Sequence, residues 1–220
     1  MENTTGIRIT QKDYYFSIAA GLLIGFLLLP ILKALNPAIY AKFYLIIVPF
    51  FLLATPIGLR IAFFIGQKIA IIYQVAKFGL IGVLNTLVDL GFLTLITFIF
   101  SAYYNIESKT SIIGVITFYS LYKAASFIIA NVNSYFWNKY WTFEQGGKKQ
   151  TKSEFVQFFA VSIVGFLINV FIASFVFKIV LGSLVGLSAE QLGLIGAAAG
   201  SIAGLVWNFI GYKLWVFKSK

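Results

Sequence analysis

Apolar runs of about 18 residues or more recur along this chain, each long enough to cross a hydrocarbon layer of about 30 Å. Inside a bilayer only helices and closed barrels satisfy their own backbone groups. A barrel reads as shorter segments of alternating polarity, and that pattern is missing. The 220 residues are 60% hydrophobic and 11% charged, whereas a soluble domain carries about 25% charged residues. The sequence therefore predicts an all-α polytopic membrane protein with about six transmembrane helices.

The runs place the helices at about 14–35, 43–64 and 75–100, then a fourth ending near Asn138, then 155–181 and 192–217. Residues 1–12 read as a polar, frayed start. Gly21 and Gly25 have the small-xxx-small spacing that lets helices approach closely. Asn36-Pro37 marks a turn, and Pro49 and Pro56 predict a kinked second helix. A charged linker, residues 144–154, divides the later helices into two pairs.

Seventeen Lys and Arg against seven Asp and Glu give a net charge of +10. In a soluble chain that excess would suggest nucleic acid. Here the bases lie between apolar runs, so they read as topology signals and contacts to anionic lipid, with no nucleic-acid partner. With the N-terminus inside, twelve basic residues, Lys77 among them, fall on the cytoplasmic side. Only Lys33, Lys42 and Lys109 fall outside. That bias predicts a cell-membrane protein with both termini cytoplasmic. The chain has no cysteine and no histidine, and no nucleotide loop or nucleophile constellation. It asks for no metal and no cofactor, and it reads as a non-enzyme.

The later helices repeat. Residues 131–143 (NVNSYFWNKYWTF) are echoed by 207–217 (WNFIGYKLWVF), with Ser134 opposite Asn208, Tyr135 opposite Phe209 and Lys139 opposite Lys213. Upstream, Phe78, Asn85 and Asp89 fall opposite Phe158, Gly165 and Asn169. Each unit holds two helices, so both enter the membrane from the same side as a parallel repeat. The organisation expected is a two-helix extension over 1–70 and a four-helix core over 71–220, with repeat units 75–143 and 155–217.

Four segments in order, KFGLIGVLNTLVD, NSYFWNKYWTF, FVQFFAVSIVGFLIN and WNFIGYKLWVF, resemble the GtrA-like family over residues 75–217. The resemblance implies a four-helix protein linked to polyprenyl-phosphate sugars, which either flips the lipid-linked sugar across the membrane or accompanies a glycosyltransferase. Two positions depart from the family signature: Ser134 replaces its first asparagine, and Lys139 its arginine. A lysine keeps the charge for a phosphate and loses the bidentate fork.

Asp89 and Lys123 are the ionisable pair expected deep in the core, about 18 and 23 Å from the cytoplasmic helix ends at 1.5 Å per residue. A lone buried charge costs at least a few kcal/mol, so pairing or a polar cavity is expected. Two readings stand: a lipid-phosphate site at Lys123 with Asp89 orienting or releasing it, or a structural ion pair with Lys123 reaching outward. Asn85 shares a helix face with Asp89, and Gly165 and Asn169 hold the matching face of the second unit. These amides either meet a sugar or phosphate or bond between helices. Asn133, Ser134, Asn138, Lys139, Asn208, Tyr212 and Lys213 form a polar layer that an entering phosphate would meet first. Trp141 and Trp215 read as interfacial anchors. Gly196, Gly200 and Gly204 form a close-packing stripe for the four-helix core or for a homodimer.

The leading function is translocation of a polyprenyl-phosphate-linked sugar for cell-surface polysaccharide glycosylation. Its partners would be that lipid and the surrounding membrane lipids. The alternative is a non-transporting subunit that positions a polyprenyl-phosphate glycosyltransferase. A small cation exporter is a third reading, and Lys123 beside Asp89 argues against it.

Overall fold

A computed structural model of the protein describes residues 7–114, 116–145, 147, 152–177 and 189–218. Six α-helices run in order: α1 Gln11–Leu35, α2 Pro37–Gly66, α3 Ala70–Tyr104, α4 Phe118–Trp137, α5 Lys152–Phe175 and α6 Ala189–Gly211. Five helices are long and apolar enough to cross a membrane. The exception, α4, has 20 residues and is the least apolar of the six. At 1.5 Å per residue it still measures about 30 Å, the thickness of the hydrocarbon layer. The expected end of the fifth helix at 181 lies outside the described residues.

Local chemistry sets the boundaries. α1 begins three residues before its expected start because Thr10 and Asp13 form a capping box, so residues 10–12 are ordered rather than frayed. Asn36 caps α2 by accepting from the Ile39 amide at 3.0 Å, and Pro37 occupies the first turn, where its missing N–H costs nothing. α3 continues to Tyr104 and ends at Asn105 in the left-handed region, φ 52°. A short antiparallel ladder, β1 Ser111–Ile113 with β2 Ile116–Thr117, then leads into α4.

The chain divides into two compact units, Met1–Glu144 and Gln145–Lys220. In the first, α1 and α2 run antiparallel. A Cβ added to Gly25 would stand 2.8 Å from the Val48 Cα, so the glycine spacing does bring these helices into contact. Thr55 ties the pair by donating to the Ser17 carbonyl at 2.7 Å. The core of this unit gathers Ala20 and Ile24 from α1, Leu59 and Ala62 from α2, and Ile81, Leu84 and Val88 from α3.

In the second unit, α5 and α6 pack antiparallel along the glycine stripe. A Cβ on Gly196 would lie 2.8 Å from the Ala173 carbonyl, and one on Gly204 would lie 2.9 Å from that of Gly165. The stripe is used inside this helix pair.

The repeat is visible in each unit's own packing. α4 runs on into a π-helical turn at Asn138–Thr142, and α6 into one at Tyr212–Val216. These are equivalent positions of the two copies. Phe78 meets Phe143 at 6.4 Å between ring centres, and their counterparts Phe158 and Phe217 meet at 6.0 Å. Lys139 lies 5.7 Å from the Tyr135 ring, and Lys213 lies 5.6 Å from the Phe209 ring.

Candidate functional site

Two polar clusters lie in the first unit. The inner one joins α3 to α4. Lys123 and Ser126, three residues apart, share one face of α4 and meet Asp89 of α3. Lys123 Nζ forms an ion pair with Asp89 Oδ2, while Ser126 Oγ donates to Asp89 Oδ1 at 2.6 Å. The carboxylate thus has one charged and one neutral donor. The lysine side chain is 41% exposed and that of Asp89 18%, so the ammonium sits at the open side of the pair. Such an arrangement can release one end of Lys123 to an incoming anion while Ser126 keeps hold of Asp89.

A buried amide atom accompanies this pair. Asn85 lies one turn from Asp89, and its Oδ1 is buried without a hydrogen-bond partner. In the second unit the equivalent of Asn85 is Gly165, and the equivalent of Ser134 is Asn208. A Cβ on Gly165 would run into the Asn208 side chain. In the second unit, then, α5 leaves this position without a side chain and Asn208 of α6 occupies the space. Asn208 Oδ1 is likewise buried and without a partner. Native structures rarely leave buried polar atoms unsatisfied without a bound water, an ion or a functional reason.

Other expected site residues fall at the end of α4. Asn138 Nδ2 donates to the Ser134 carbonyl at 2.9 Å and to its Oγ at 3.2 Å, leaving Oδ1 without a partner. Asn133 accepts from Trp137 Nε1 at 3.1 Å, and its Nδ2 is a buried orphan. Lys139 is fully buried and meets the Tyr135 hydroxyl at 3.3 Å. The structure thus brings Asn85, Asp89 and Lys123 onto one helix pair, and joins Ser134 to Asn138 on α4. In the second unit Asn169 lies against Gly200 and Gly204, and Lys213 is half-buried near Phe209.

The outer cluster corrects the sequence reading. The sequence reads Lys77 as a topology signal and Trp141 as an interfacial anchor, yet Lys77 is 3% exposed and Trp141 fully buried. The cause is Asp13. Its Oδ1 pairs with Lys77 Nζ at 2.5 Å and accepts from Trp141 Nε1 at 3.0 Å. Its Oδ2 takes the Thr10 amide and hydroxyl, each at 2.8 Å. Lys77 also reaches Glu144 Oε1 at 3.1 Å. The threonine-x-x-aspartate pattern at 10–13 could have flagged Asp13 as a cap, but nothing local announced its second partner. Trp215, its counterpart in the repeat, is by contrast 56% exposed.

Apolar spanning helices, a two-helix repeat and an ion pair set between α3 and α4 define a polytopic helical membrane protein. The chain belongs to the GtrA-like family: the GtrA/DPMS transmembrane domain matches residues 77–217. It is also similar to the uncharacterized membrane protein YngA of Bacillus subtilis (strain 168), at 30% identity over 146 residues, covering 66% of this chain and 80% of that relative. No solved structure matches it. Membership places the chain among membrane proteins of polyprenyl-phosphate sugar processes.

Proposed function

We propose that this chain moves a polyprenyl-phosphate-linked sugar across the cell membrane for cell-surface polysaccharide glycosylation, with both chain termini on the cytoplasmic side. The supporting observation is the Asp89–Lys123 ion pair within α3 and α4, its lysine at the open side. The lipid tail stays in hydrocarbon while the phosphate and sugar follow the polar groups. The phosphate displaces Asp89 from Lys123, so that one anion replaces another and the ammonium is never left unpaired. Exchange of this kind lowers the desolvation cost that otherwise forbids crossing. The orphan amide oxygen of Asn85, one turn from Asp89, accepts from a sugar hydroxyl.

The test is transbilayer movement of a polyprenyl-phosphate sugar in vesicles containing the purified chain alone, compared with Lys123→Ala. Movement that the substitution abolishes supports a translocase with its site at Lys123. Full movement in the folded variant removes that site. No movement by the intact chain removes translocation and favours a subunit that positions a glycosyltransferase.

A further inference from the structure

We propose that the cleft between α1, α2 and α3 seats the isoprenoid tail of a polyprenyl phosphate, an inference resting on the reading that the chain handles such a lipid. The cavity measures about 380 Å³, and its walls include Ile24 of α1, Phe51 and Gly58 of α2, and Gly79, Leu80 and Val83 of α3. Its one hydroxyl-bearing wall residue, Thr55, is committed to the Ser17 and Phe51 carbonyls at 2.7 and 2.9 Å. The cleft therefore offers an occupant no free donor, and what fits it is hydrocarbon.

The glycines argue that the space is kept on purpose. Gly21 and Gly25 on α1 are packing glycines, for a Cβ at either would strike α2. Gly58 on the α2 wall and Gly79 on the α3 wall are not: a Cβ at either meets nothing within 4 Å. Glycine in a helix interior is costly relative to alanine, and here no close helix approach offsets that cost. The two positions leave notches open in the α2 and α3 walls. A straight acyl chain has no use for such notches, whereas the methyl branches of an isoprenoid fill them.

The cleft opens to the bilayer. Both α2 and α3 are long, apolar spanning helices, and Gly58 and Val83 at its rim are exposed. Charge complements the tail. Lys68 lies in the link between α2 and α3, exposed, with no ion-pair partner among the described residues. Gly58 and Gly79 stand ten and eleven residues from it, so both lie about 15 Å from the link at 1.5 Å per residue. A lipid lying along the two helices with its phosphate at the link would place the first stretch of its tail between the glycines.

The test uses a polyprenyl phosphate bearing a photoreactive diazirine in its tail, in vesicles of straight-chain phosphatidylcholine with the full chain, followed by peptide mapping. Adducts are expected within 51–59 and 76–83. Gly58→Leu and Gly79→Leu should each lower them at least tenfold. The two substitutions lie on different helices, so a folding failure of one leaves the other to decide. Excess unlabelled polyprenyl phosphate should compete, and excess straight-chain phosphatidic acid should not. Equal competition by phosphatidic acid overturns the proposal in favour of an ordinary bilayer lipid. Adducts spread evenly over all helices, or unchanged in a folded glycine variant, also overturn it. Transbilayer movement in the same vesicles keeps the two readings apart. Cleft adducts without movement remove translocation and keep the tail seat, whereas movement without cleft adducts removes the tail seat alone.

Discussion

Asp13 of α1 and Lys77 of α3 form a buried ion pair at 2.5 Å, and neither side chain is more than 3% exposed. Removing one partner of such a pair strands the other charge, which costs about 3–5 kcal/mol. Asp13→Leu should therefore lower the thermal unfolding temperature of the purified protein sharply. The double substitution Asp13→Leu, Lys77→Met should recover most of the loss, because two apolar side chains of similar volume replace the pair. A double variant as unstable as the single one would mean that the Thr10 and Trp141 bonds to Asp13 matter more than the charge.

The two tryptophans of the repeat should separate by stability. Trp141 is fully buried and its counterpart Trp215 is 56% exposed. Trp141→Ala should cost about 3–5 kcal/mol, the range for a large buried aromatic, while Trp215→Ala should leave the melting temperature in detergent nearly unchanged. Equal losses would contradict the burial difference.

Overpacking should distinguish the glycines in a similar way. Gly204→Leu forces a side chain against the Gly165 carbonyl and should destabilise by about 1–3 kcal/mol or more. A leucine at Gly79 enters open space, and the variant should melt close to the parent. Differential scanning of both in one detergent checks the ordering.

Ser126→Ala removes the 2.6 Å bond to Asp89 and leaves the ion pair in place. Hydrogen bonds between membrane helices are worth about 0.6 kcal/mol on average, so the stability change should be small. Transport, if Ser126 holds Asp89 while Lys123 releases, should fall several-fold. Unaltered transport in this variant would assign the serine a packing role only.

Much of this arrangement was legible beforehand. The apolar runs gave six helices, because a bilayer leaves the backbone few alternatives. The depth argument for Asp89 and Lys123 anticipated that they meet, since helix rise fixes the level of a residue once its end is known. The glycine stripes on α1 and α6 gave close helix contacts. What escaped was the Asp13 cluster. Lys77 looks like any basic residue at a helix end, and Trp141 like any interfacial tryptophan. Their burial depends on a carboxylate brought in by a helix outside the family match. Position along a helix is local information, while the identity of the helix packed alongside is not. The fit of Asn208 against Gly165 is half visible in the sequence. The repeat alignment pairs Asn85 with Gly165 and Ser134 with Asn208, but only the packing of α5 on α6 shows the Asn208 side chain occupying the space that Gly165 leaves open.

The bond from Trp141 to Asp13 joins positions 128 residues apart in sequence, which bears on how the chain is made. Asp13 enters the bilayer early, capped by Thr10 alone, and waits for Lys77 until α3 is inserted. Its last donor arrives only after α4 has been threaded and its π-helical turn has formed. A ribosome that stalls before that point leaves a buried carboxylate short of a partner, so incomplete chains carry their own mark of incompleteness. Truncations ending at 136 and at 145 should differ in their lifetime in the membrane, with the shorter chain degraded faster.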